Sequence, residues 1–177
     1  NMFFEDERKE VTILFADIRS FTSIAEKLPA EKVVAMLNCF FNSMVDIVFK
    51  NNGVLDKFIG DQIMVVFTSI SYQTSGPVDA VKAAIEMQNA TAELMKIRVD
   101  ENKEVFEIGI GINTGNAILG NVGSKNRMSF TAIGDCVNVT SRLKQLAIGG
   151  EIIIGEKTFL QAREHFRMKE KGKIFVK

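Results

Sequence analysis

At 177 residues the chain has the size of one domain, long enough to bury a core without disulfides or a structural metal. Its 22 basic and 22 acidic residues cancel, which excludes a globally charged surface for nucleic acid or an anionic membrane and makes any phosphate binding local. A single histidine, His165, and two widely separated cysteines, Cys39 and Cys136, exclude a cysteine-based zinc site and leave Ser-His-Asp and Cys-His catalysis poorly supplied. Both cysteines read as small core residues in a reducing compartment. No apolar run approaches the ~18 residues that span a bilayer, no signal-peptide pattern opens the chain, and the first residue, Asn1, suggests a piece of a larger protein.

The first element is "VTILFAD" (11–17), a β-branched and aromatic run read as a central strand ending at or just before Asp17. Ser20 and Thr22 follow as candidate N-caps. Residues 29–53 open on Pro29 and close on Asn-Asn-Gly. Val33, Met36, Leu37, Phe40, Phe41, Met44, Val45 and Val48 recur there at the spacing of an amphipathic helix. "DKFIGDQIMVVF" (56–67) is two short apolar runs joined by Gly60-Asp61, the composition of a tight hairpin turn. A polar loop (69–76) leads into a second helix from Pro77 to about Val99. "FEIGIGINTG" (106–115) alternates like a strand whose glycines mark close backbone approach or a bulge. Residues 116–130 are Gly-rich and read as a hairpin or flap. "TAIGDCVNVTSRLKQL" (131–146) passes from strand to helix, with Asp135 placed to cap it, and "GEIIIGEKTFLQA" is a short strand before a short helix. A hairpin between two long helices on a mostly antiparallel sheet is the pattern of an α+β, ferredoxin-like sandwich.

In such a sheet Asp17, at the end of the first strand, and Asp61, at the tip of the hairpin beside it, lie next to each other. Two like charges a few ångströms apart call for a cation, and hard oxygen ligands suit Mg²⁺ or Mn²⁺. Either aspartate alone reads more simply as a cap or turn residue. Asn138 and Arg142 are four apart on one helix face, where an amide and a guanidinium grip a phosphate or simply meet solvent. Lys57, by itself, is an exposed strand lysine.

"FADIRSFT", "LDKFIGDQIM", "NTGNAILGNVGSKNR" and "FTAIGDCVNVTSRLK" together resemble the successive signature blocks of the class III nucleotidyl cyclase catalytic domain, from about Glu10 to Lys173. The resemblance implies a sheet-and-helix palm that dimerises head to tail, with active sites at the interface that convert a nucleoside triphosphate to its 3′,5′-cyclic monophosphate and pyrophosphate. By position, Asp17 and Asp61 resemble the metal-binding aspartates, with the Ile18 carbonyl completing the set. The implied cofactors are two divalent cations, Mg²⁺ or Mn²⁺, about 3.5–4 Å apart in a two-metal displacement. Lys57 falls on the base-selecting position, where Lys accompanies adenine and Glu guanine. Thr131 matches the second base contact in a bacterial and soluble-cyclase branch that often responds to bicarbonate. Asn138 and Arg142 match the pair that orients the ribose and stabilises charge at the α-phosphate, and Lys171 matches a lysine on the triphosphate.

These matches imply an adenylyl cyclase, with ATP as substrate and a homodimer sharing two equivalent sites. The expected location is cytoplasmic, with membrane tethering of the parent protein left open. A guanylyl cyclase is the alternative that Lys57 disfavours. A silent, nucleotide-binding regulatory partner would lack one of these residues, and a diguanylate cyclase or polymerase palm would carry a more acidic turn than "FIGDQI". The chain departs from the family pattern at Ser129 and after "KGK", where the last strand looks cut short.

Overall fold

The run from Val11 to Ala16 is buried on both faces, and only a strand flanked by neighbours on each side and covered above and below meets that requirement. The structure, a computed structural model, describes residues 7–69, 75–124 and 127–172. β1 (Glu7–Ile18) pairs antiparallel with β3 (Gln62–Phe67) on one side and with β4 (Ile108–Ser124) on the other. β2 (Val54–Ile59) extends the sheet beyond β3, and β5 (Arg127–Ile133) pairs with the distal half of β4, giving the order β2-β3-β1-β4-β5. β6 (Ile152–Ile154) lies parallel to the proximal half of β4. The expected mostly antiparallel α+β sandwich is what the chain adopts.

The even-numbered residues Leu14, Ala16 and Ile18 of β1 face the larger core, which is closed by α2 (Ala30–Lys50) and α3 (Gly76–Asp100). α2 buries Met36, Phe40, Met44 and Val48, one residue per turn, as its periodicity predicts; α3 buries Ala80, Val81, Ala84 and Met87 and leaves Ile85 exposed. Phe40 sits centrally, edge-on to Phe106 at 5.9 Å and tilted against Phe41 at 5.4 Å. The odd-numbered residues Val11, Ile13 and Phe15 face the second layer with Met64, Val66, Ala117, Ala132 and Cys136, covered by α4 (Asp135–Leu146). The short helices α1 (Phe21–Ala25) and α5 (Glu156–Ala162) complete the chain.

Several local expectations are corrected. Ser20 occupies the N-cap of α1 in a left-handed conformation without a side-chain capping bond, and Thr22 lies inside the helix. Gly134, not Asp135, is the N-cap of α4, and Asp135 is instead an acidic first-turn residue favoured by the helix dipole. The Gly-rich stretch 116–130, by contrast, is the hairpin expected: β4 runs without a break to Ser124 and pairs with β5 in one long arm, whose tip, 125–126, lies outside the described residues. Among the described residues α2 is the one helix long and apolar enough to cross a bilayer, against the expectation that no segment approaches that length. Here its buried stripe is committed to the sheet.

Cys39 is exposed on α2 rather than in the core, whereas Cys136 is buried against Asn113. Burial pushes the Cys136 thiol from its ordinary 9.0 up to about 11, so the thiolate that reacts is scarce at neutral pH. A disulfide reagent added to the native protein at pH 8 should modify Cys39 rapidly and Cys136 only on unfolding; two fast equivalents would contradict this placement. Because the folded state holds this proton more tightly, the thiol's contribution to stability is intact below pH 9 and declines as pH rises toward 11.

Candidate active site

The Gly60-Asp61 turn closes the β2–β3 hairpin between Ile59 and Gln62, with positive φ at Gly60 alone (62°), the sign pattern of a type II′ turn with glycine first. Asp61 is more than a turn residue: its Oδ2 accepts the backbone N–H of Ile18 at 3.0 Å, across from the hairpin to the end of β1. This bond brings Asp17, Ile18 and Asp61 to one end of the sheet, as the sequence led us to expect.

Two cations that the sequence reading missed complete this end. Lys144, reaching down from α4, places Nζ 2.5 Å from Asp17 Oδ2 and is almost wholly buried. Arg19 lies against Asp17 Oδ1 and donates from Nη1 to the Ala147 carbonyl at 3.0 Å, at the C-terminus of α4. Burial lowers the pKa of both groups, chiefly through desolvation, and the Asp61 charge opposes that shift in each. Lys144 was legible in principle. It follows Cys136, Thr140 and Leu143 on the buried stripe of α4, and a lysine on an apolar stripe signals an acidic partner beneath it.

The substrate-binding candidates Lys57 and Thr131 also come together, through a residue that was not singled out. The β2–β3 register slips between Leu55 and Lys57, a bulge at Asp56. A regular strand would send Asp56 and Lys57 to opposite faces, whereas here Lys57 Nζ lies 3.2 Å from Asp56 Oδ1. The Thr131 hydroxyl donates to the same carboxylate, at 3.0 Å from Oδ1 and 2.8 Å from Oδ2, and the Ala132 N–H donates to Oδ2 at 3.1 Å. The outer strands β2 and β5 thus meet at Asp56, whose side chain is 3% exposed. An aspartate inside a strand runs against β propensity, and that was the available signal.

Asn138 and Arg142 are exposed on α4, turned away from the buried face that carries Lys144, and among the described residues neither makes an ion pair or hydrogen bond to Asp17 or Asp61. An open cleft of about 450 Å³, lined by Ala132, Gly134, Asp135 and Asn138, lies where β5 enters α4. Lys171 pairs with Glu151 Oε1 at 2.5 Å, and Gly150 beside it donates to the Ile108 carbonyl, opposite Ile18. It therefore lies at the Asp17 end of the sheet, and this pairing is the first cause of the lowered Glu151 pKa.

Over residues 4–177 the chain matches the family described as the adenylate and guanylate cyclase catalytic domain. The chain belongs to that family. The cyclase domain superposes on adenylyl cyclase CyaB of P. aeruginosa with a TM-score of 0.93 and 38% identity, covering 98% of this chain and 90% of that one. It superposes on guanylyl cyclase Cya2 with a TM-score of 0.87 and 36% identity over 97% and 86% of the two chains. In sequence it is 43% identical over 138 residues to the terminal-differentiation specific adenylate cyclase of Dictyostelium discoideum, which is 78% of this chain and 6% of that protein. It is 34% identical over 137 residues to adenylate cyclase 1 of Rhizobium meliloti, 77% of this chain and 21% of the relative. The domain thus spans 6% and 21% of these two curated relatives. Adenylyl and guanylyl cyclases both stand among the similar structures, so family membership leaves the base unassigned.

Proposed function

We propose that this chain is the catalytic domain of an adenylyl cyclase, a homodimer that converts ATP to 3′,5′-cyclic AMP and pyrophosphate. The observation that carries the reading is the Ile18 N–H to Asp61 bond, which holds a second carboxylate beside Asp17 at the end of β1. Among the described residues no three His, Cys, Asp or Glu side chains gather into a protein-only metal cage. Two carboxylates fit Mg²⁺ nonetheless, because that ion is commonly held by one or two carboxylates together with substrate phosphates. Asp17 already draws two cationic side chains, Arg19 against Oδ1 and Lys144 at 2.5 Å from Oδ2, so the charge of its carboxylate suits a bound cation. Asp17, Asp61 and the Ile18 carbonyl would hold two Mg²⁺ or Mn²⁺ ions, whose contribution when bound is to acidify the ribose 3′-hydroxyl and neutralise charge at the α-phosphate.

The remaining residues act on the nucleotide directly. Lys57 donates to adenine N1, an acceptor; guanine presents N1–H there and would leave the ammonium facing a donor. Asn138 and Arg142 face outward from α4, so they serve the site whose aspartates belong to the second copy, orienting the ribose and holding charge at the α-phosphate. Lys171, at the Asp17 end, serves the triphosphate. The docking face for the second copy is supplied by the exposed Val54 and Ile59 of β2, Val122 of β4 and Met128 of β5.

The test is product analysis of the purified protein with ATP or GTP, in Mg²⁺ and in Mn²⁺. Cyclic AMP is the expected product, and Asp61→Ala should lower its rate about 100-fold or more, given the several kcal/mol that bound metals supply. A folded dimer that makes no cyclic nucleotide from either substrate would overturn the proposal.

A further inference from the structure

We infer that Asp56 is a specificity-determining positioning residue, which fixes the direction of the Thr131 hydroxyl so that the site presents a donor and an acceptor side by side, the complement of adenine. The inference rests on the proposed nucleotide cyclase activity and adds to it the residue that sets base polarity. A threonine hydroxyl holds one hydrogen and two lone pairs, and left free it rotates to donate or to accept. Such a residue cannot distinguish the 6-amino group of adenine from the 6-oxo group of guanine.

Here the hydroxyl is not free. Its single hydrogen lies between Asp56 Oδ1 and Oδ2, at 3.0 and 2.8 Å, and a carboxylate has nothing to donate in return. What Thr131 offers elsewhere is therefore lone pairs only. The carboxylate is itself held from three sides, by the Thr131 hydroxyl, by the Ala132 N–H at 3.1 Å and by Lys57 Nζ at 3.2 Å. Because Lys57 and Thr131 both bind Oδ1, they lie no more than two hydrogen-bond lengths apart, close enough for the two side chains to reach neighbouring groups on one purine edge. Lys57 can only donate and Thr131 is confined to accepting. Adenine, with acceptor N1 beside its donor amino group, satisfies both; guanine, with donor N1–H beside acceptor O6, satisfies neither.

The bulge at Asp56 is what makes the arrangement possible. Without it Asp56 and Lys57 would point to opposite faces of β2, and the carboxylate could not address both residues.

The experiment compares kcat/KM for ATP and for GTP in the wild-type protein and in Asp56→Asn. The asparagine amide can donate to Thr131 Oγ1, reversing that hydrogen bond and freeing the hydroxyl hydrogen for guanine O6. We expect the ATP-over-GTP ratio to fall about tenfold, chiefly through a higher KM for ATP, since one misdirected hydrogen bond has about that effect. In a Thr131→Val background the same change should move the ratio less than about twofold. A merely structural Asp56 would depress both substrates equally and leave the ratio unchanged, which overturns the inference. Should Asp56→Asn fail to fold, Thr131→Ser against Thr131→Val decides: serine should keep the wild-type ratio and valine lose it, and equal ratios overturn the inference. A wild-type protein that itself prefers GTP, or cyclises neither nucleotide, would overturn the adenylyl cyclase reading instead, a result separable from an ATP-selective wild type with an indifferent Asp56 variant.

Discussion

Equal amounts of Asp17→Ala and Arg142→Ala protein, each nearly inactive alone, should on mixing recover about a quarter of the wild-type rate of cyclic AMP formation. The factor follows from symmetry: random exchange makes half of the dimers mixed, and each mixed dimer has one of its two sites intact. The physical basis is the outward face of α4. Lys144 reaches Asp17 of its own chain from the buried side of that helix, so Asn138 and Arg142 on the exposed side are left for another chain's site. Subunit exchange is checked by native mass spectrometry and activity by cyclic AMP quantification. Mixed dimers without activity, or substantial activity in either variant alone, would overturn the shared-site arrangement.

Gly111→Ala should destabilise the fold and lower activity together. A Cβ at Gly111 would collide with the backbone nitrogen of Lys144 and stand 2.7 Å from the Thr140 carbonyl oxygen and 2.8 Å from Lys144 Cα. These are backbone atoms of α4, which cannot rotate aside as a side chain would, so the helix has to lift from β4. Overpacking of this kind costs about 1–3 kcal/mol, and at this chain length each kcal/mol lowers Tm by roughly 2–4 °C. Lifting α4 also moves Lys144 from Asp17 and displaces Asn138 and Arg142, so activity falls by more than the unfolded fraction explains. Gly115→Ala, four residues further along and on the same strand face, meets only Cys136 Cβ and Sγ at 3.2 and 3.3 Å and should cost much less. Thermal melts and initial rates of the two variants make the comparison, and equal behaviour would mean that α4 does not rest on β4 backbone to backbone.

The glycines of "GIGINTG" show how far a sequence carries such a conclusion. Their alternation marked a strand that something approaches closely, but not that the approaching element is α4, because the two segments are separated by the whole β4–β5 arm. Lys57 and Thr131 were each visible as candidates, yet the residue joining them was not, since a bulge is a change of register between two strands. Lys144 and Arg19 escaped notice for a related reason: a buried charge is recognised by its partner, and Asp17 lies 127 positions from Lys144.

What the sequence by itself determined is the set of elements and their order, because apolar periodicity and Gly-Asp turn chemistry are local, together with the motif blocks that place the chain among the cyclase catalytic domains. Only the tertiary structure decided which further side chains join the expected site residues. The curl of the sheet sets Asp56 of β2 against Thr131 of β5, and the seating of α4 sets Lys144 over Asp17; both depend on backbones meeting across long stretches of chain, where packing rather than local propensity selects the neighbour.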